Sequence, residues 1–194
     1  MNETIARRPA RRWPLFVGLA ILGLSVFAIP VAAGSNGQSD VAGARIATAS
    51  FHDFAAAQAA GYGGPVADLQ GITCIASSTG AGAMGVHYLK PSLIPELFDA
   101  NATAAVDAST PELLVYAPGP DGTSRLVALE YLTIKASWDA QHNGVAPVLF
   151  GQPFNETGSI NRYGLPAFYS LHAWIWDPNP TDLFAPYNPQ VTCP

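Results

Sequence analysis

The sequence predicts an α+β domain: a curved antiparallel sheet of about five strands, with a half barrel as the limit of its curl, an N-terminal helix and a C-terminal extended arm. Three stretches carry that expectation. Pro166–Pro178 (PAFYSLHAWIWDP) is dominated by aromatic and β-branched residues and is bounded by proline at both ends. Arg125–Lys135 (RLVALEYLTIK) reads as a second long strand, and Ser50-Phe-His-Asp53 before Phe54-Ala-Ala-Ala-Gln-Ala-Ala60 reads as a capped helix stopped by Gly61.

Residues 1–34 precede the fold. Arg7, Arg8, Arg11 and Arg12 form a basic leader, Leu15–Val31 is a charge-free apolar run, and Val31-Ala32-Ala33 places small residues before Gly34. This is the pattern of a signal peptide, or of a membrane anchor through residues 15–31 if it stays uncleaved. Either way the chain is expected to be secreted or extracytoplasmic, with a membrane contact only through that uncleaved segment. Residues 35–44 are polar and glycine-rich and are expected to be a flexible spacer, leaving residues 45–194 as a single exported domain.

Without residues 1–34 the chain keeps five of its nine basic and thirteen of its fourteen acidic side chains, a net charge of −8. An anionic surface repels phosphate backbones, so nucleic acid is excluded as a partner. Cys74 and Cys193 are the two cysteines. In an oxidising compartment an even count reads as a disulfide, here one that closes nearly the whole domain.

Along the chain, one helix is expected from Phe51 to Ala60. Gly80, Gly82 and Gly85 have the spacing of a dinucleotide fingerprint, but strand-like Val86-His87-Tyr88-Leu89 follows them where that fingerprint needs a helix. Strands are expected near residues 86–89, 112–116, 125–135, 147–150 and 166–178. The turn Pro118-Gly-Pro-Asp-Gly122 makes residues 112–116 and 125–135 a hairpin. Residues 138–144 and 152–165 read as loops, and the proline-rich run after Pro178 reads as an arm pinned by Cys193.

Alternation along residues 125–135 puts Glu130 on the more apolar side, where an unpaired carboxylate is costly. His87 and His172 are each central to an apolar strand. Two imidazoles and a carboxylate on neighbouring strands can converge on one divalent ion, zinc first, then iron, manganese or copper. Tyr88, Tyr131, Trp174 and Gln152 are the expected pocket or surrounding residues. The competing reading is a buried Glu–His network without metal, in which Glu130 pairs with His87, His172 or Arg162. A serine-hydrolase reading through Ser170, His172 and Asp177 fails, because Ser170 and His172 project in parallel from one strand and no nucleophile elbow is present.

The segments Gly82-Ala-Met-Gly-Val-His-Tyr88, Leu129-Glu-Tyr131, Leu149-Phe-Gly-Gln-Pro-Phe154, Leu171-His-Ala-Trp-Ile-Trp176 and Phe184-Ala-Pro-Tyr-Asn-Pro189 together resemble a family of uncharacterised exported bacterial proteins with no established activity. That resemblance spans most of the exported part and implies a single exported domain. The histidine pattern is also similar to that of cupins, metal barrels with ligands on strands, although Tyr88-Leu89 follows His87 where that family has a paired His-x-His. The leading expectation is an exported metal-binding domain, which an open coordination position would make a metal-dependent enzyme. The alternative is a non-enzymatic module: either a small-molecule binder, with an aromatic pocket that includes Trp176, or a structural cell-surface domain.

Overall fold

The protein is described by a computed structural model covering residues 35–194, so the leader and anchor readings on residues 1–34 lie outside the described residues. Helices α1 (Ser35–Thr48) and α2 (Phe54–Ala59) flank a 3-10 turn, Ala49–His52. Strands β1 (Cys74–Ala76), β2 (Ala83–Leu89), β3 (Leu113–Pro118) and β4 (Ser124–Ile134) follow, then α3 (Lys135–His142). The short strands β5 (Val148–Leu149), β6 (Gln152–Pro153) and β7 (Asn155–Thr157) lead to β8 (Phe168–Ala173). Six strands form one antiparallel sheet in the order β1-β2-β3-β4-β8-β7, while β5 and β6 pair separately. The large sheet curls through 227° into a half barrel.

The predicted hairpin is present: β3 and β4 pair antiparallel from Leu113 opposite Glu130 to Pro118 opposite Ser124. A bulge between Val115 and Tyr116 moves Leu126 onto the helix-bearing face with Leu129 and Tyr131. Simple alternation had put Leu126 with Glu130; the inserted residue reverses it.

Three expectations are corrected. The spacer at residues 35–44 is the first part of α1, because Val41, Ala44 and Thr48 recur at helical spacing and pack inward. Thr48 returns its hydroxyl to the Ala44 carbonyl at 2.7 Å, and Arg45 Nε donates to the Ile175 carbonyl at 2.9 Å. Tertiary packing, not propensity, makes this segment helical. Next, the helix expected from Phe51 to Ala60 begins only at Phe54, with the Asp53 side chain accepting from Ala55 N. Finally, of residues 138–144, expected as loop, those up to His142 belong to α3, which Lys135 and Asp139 support with a 2.8 Å ion pair one turn apart, and only Asn143 and Gly144 lie beyond it.

The helices cover one sheet face, where Ala44, Ala57 and Trp138 meet Leu114, Tyr116, Leu129, Tyr131 and Leu171. The C-terminal arm after Ala173 has no helix or strand and closes the end of the opposite face. Trp174 Nε1 donates to the Ala185 carbonyl, and Asn188 exchanges two backbone hydrogen bonds with Ala83. Gly82 has φ +93°, and a Cβ there would fall 2.0 Å from the Asn188 carbonyl oxygen, so the arm requires a glycine at this crossing. Cys74 and Cys193 form the expected disulfide, with Cα atoms 5.6 Å apart. The bond is consistent with folding in an oxidising compartment. No described helix is long and apolar enough to cross a membrane.

Candidate functional site

On the sheet face opposite the helices, the register sets one row of side chains across four strands: Leu89, Leu113, Glu130 and His172. His87 lies in the next row, beside Val115 and Ala128. Strands β2 and β4 are two places apart, roughly 10 Å at the usual strand spacing. The side chains nevertheless meet over β3, and His87 Nε2 lies 3.2 Å from Glu130 Oε2. The His87 and His172 rings are 5.5 Å apart.

The structure therefore brings together the three residues that the sequence singled out. It does not arrange them as a chelate: among the described residues no group of three or more His, Cys, Asp or Glu is placed to hold a metal ion. His172 is buried with neither ring nitrogen in a hydrogen bond. Burial holds its pKa well below that of a free imidazole and the His87 ring lowers it further; the Pro186 carbonyl, near the ring but outside hydrogen-bond geometry, offsets only part of this. Burial also depresses His87, against the pull of Glu130. Burial thus favours the neutral form of both imidazoles, and His87 meets Glu130 at 3.2 Å.

Beside this pair is a pocket of about 520 Å³. Its floor comes from the sheet through His87, Leu89, Leu113, Glu130, Leu132, Phe168 and Ser170. Val66 and Ala67, the turn residues Ile94 and Leu97, and the loop residues Ile160 to Leu165 form its sides, with Tyr187 reaching in from the arm. Arg162 stands at the wall, tied to Asp68 Oδ2 through Nη2 at 2.6 Å and Nε at 3.2 Å. That bond, with two backbone donors, holds the Asp68 carboxyl below the usual range and fixes the loop. The Tyr163 hydroxyl is pushed up to about 12 by burial and then by the Glu130 carboxyl.

The expected aromatic pocket is corrected. Tyr88 and Tyr131 point to the helix-bearing face, where Tyr131 Oη donates to the Ala108 carbonyl. Trp174 stacks on His172 at 4.8 Å and covers it, outside the pocket lining. Trp176 leaves the strand pattern, since β8 ends at Ala173, and donates to Thr48 Oγ1 on the helix side. Gln152 is exposed in the β5–β6 hairpin. His142 is half-buried and stacked on Trp138.

Two buried carboxyls escaped the sequence reading. Strand β4 runs past the start of β3, so the Leu132 and Ile134 amides on that side have no strand partner. Glu112 Oε2 accepts from Leu132 N at 3.0 Å, and Glu96 Oε1 accepts from Ile134 N and from Thr133 Oγ1. Glutamates stand in for the missing strand. Burial pushes Glu112 up to about 8, and the Glu96 and Glu130 carboxyls add to the rise. No protein-family model, curated protein or solved structure matches the chain.

Proposed function

We propose that this chain is an extracytoplasmic binding module that holds a small, largely apolar molecule in the pocket on the sheet face opposite the helices, with the His87–Glu130 pair as its polar anchor. The observation that carries this reading is the pocket itself: about 520 Å³, walled mainly by aliphatic side chains, with one buried polar pair in its floor. Few convergent polar groups in an apolar cavity of roughly 300–1,000 Å³ is the usual form of a small-molecule site. Export is supported by the disulfide, by the leader-like residues 1–34 and by the resemblance to exported bacterial proteins.

The neutral dye Nile red, whose emission rises in apolar cavities, tests the reading. Titration is expected to saturate at one dye per chain, and Ser170→Phe, which fills the floor, is expected to reduce the saturable signal at least tenfold. Equal binding by the variant, or no saturable binding to the wild type, would contradict it.

One observation favours a second reading, the metal site of His87, Glu130 and His172. His172 keeps two ring nitrogens buried without partners, and an ion drawing the three side chains together would satisfy one of them. Zinc fits this donor set first, ahead of iron, manganese and copper. Near-stoichiometric metal in protein purified without chelators, lost in His172→Ala, would replace the pocket reading with this one.

A further inference from the structure

We infer that Asn101 is a site of N-linked glycosylation, taking an oligosaccharide outside the cytoplasm from a lipid diphosphate donor. The inference is independent of what the pocket holds and draws only on the export of the chain. Among the described residues the acceptor pattern Asn-x-Thr, with x other than proline, occurs twice, at Asn101-Ala-Thr103 and at Asn155-Glu-Thr157. The fold separates the two. Asn155–Thr157 is strand β7, whose backbone is paired with β8 from Asn155 opposite Ser170 to Thr157 opposite Phe168. Thr157 is half-buried and borders the pocket. A transferase would have to strip this strand from the sheet to reach the pattern.

Asn101 stands in a turn between the 3-10 turn Pro95–Leu97 and β3, outside every helix and strand. Exposure alternates after it: Asn101, Thr103 and Ala105 are exposed, whereas Ala102 and Val106 are half-buried and Ala104 is buried. Helix α3 holds the residues in between. Gln141 Nε2 donates to the Ala102 carbonyl at 3.0 Å, Gln141 Oε1 accepts from Ala104 N at 3.2 Å, and Ser137 Oγ donates to the Ala100 carbonyl. Asn101 and Thr103, the two residues that the acceptor pattern needs, are thus presented together to solvent on a supported loop. Asp99 Oδ1 accepts from Asn101 N at 2.9 Å and from its Nδ2 at 3.3 Å, which sets a carboxylate beside the amide that must lose a proton. In the transfer, Nδ2 bonds to C1 of the first sugar, the bond from C1 to the diphosphate oxygen breaks with its electron pair, and one amide proton goes to solvent. Phe98, three residues before Asn101 and 76% exposed, is an apolar side chain that a hydrophilic glycan there would shield.

The purified full chain, its disulfide intact, is incubated with a bacterial oligosaccharyltransferase and a polyprenyl-diphosphate oligosaccharide, and each asparagine is read by peptide mass mapping. Asn101 is expected to be modified at least tenfold more than Asn155. Thr103→Ala, a change at an exposed position, is expected to lower the modification of Asn101 at least tenfold. An unmodified Asn101 in the folded chain would overturn the inference, whether or not the reduced and alkylated chain is modified there. So would equal modification of Asn155, or a signal at Asn101 that Thr103→Ala leaves unchanged.

Discussion

Replacing Cys193 with serine is expected to lower the unfolding free energy by about 5 kcal/mol. The bridge joins the edge strand β1 to the end of the arm across a sequence separation of 119 residues. In the chain-entropy model, a closed loop of that length removes much of the freedom of the unfolded chain. Beyond the bridge, the last part of the arm is held to the sheet by the Asn188–Ala83 backbone pair and by buried Val191. At a slope of about 2 kcal/mol/M the urea midpoint should fall by roughly 2.5 M. A fall below about 0.5 M would mean that those contacts fix the arm without the bridge.

Glu112→Gln is expected to stabilise the protein at alkaline pH and to flatten its pH dependence. The Glu112 carboxyl titrates at about 8 in the fold against 4.5 for the free group. A raised acid keeps its proton in the folded state while the unfolded chain has already lost it. Its contribution to stability is therefore complete below pH 4.5 and falls as pH rises, until it is gone above about pH 8. At pH 7 the loss is about 3 kcal/mol, at 1.36 kcal/mol for each pH unit above 4.5. Glutamine still offers an oxygen to the Leu132 amide and carries no charge. Urea unfolding at pH 5 and pH 8 should show a difference of several kcal/mol in the wild type that shrinks by most of that amount in the variant. An unchanged difference would place the titration elsewhere.

How much of this was legible beforehand depends on where each residue sits. His87, Glu130 and His172 were found because strand alternation sets a polar side chain against an apolar face, and the register carries that pattern across the sheet. Parity also held the warning that Tyr131, next to Glu130, and Tyr88, next to His87, must face the other way; grouping them into one pocket set aside the two-residue period. Trp174 shares the parity of His172 and does stack on it. Helix α3 had a readable signal in the Lys135–Asp139 spacing, but its histidine, asparagine and glycine end resembled a loop.

The rest was not legible because it depends on long-range partners. Helix α1 forms where its small residues meet the sheet, a contact that composition cannot express. Glu96 and Glu112 matter because β4 outruns β3, and strand ends are the least certain feature of a sequence reading. The pocket walls come from turns at residues 94–97 and a loop at 160–165, segments with no period to read.

The most direct test of the central claim is a nitrogen–proton correlation spectrum of the four histidine rings as Nile red is added. His87 borders the pocket and His172 lies beside it, whereas His52 contacts Trp176 and His142 stacks on Trp138, both away from it. Ligand in the proposed site should shift the His87 ring most and His172 next, leaving His52 and His142 in place. Shifts confined to His52 or His142, or saturable binding with no histidine shift, would contradict the account.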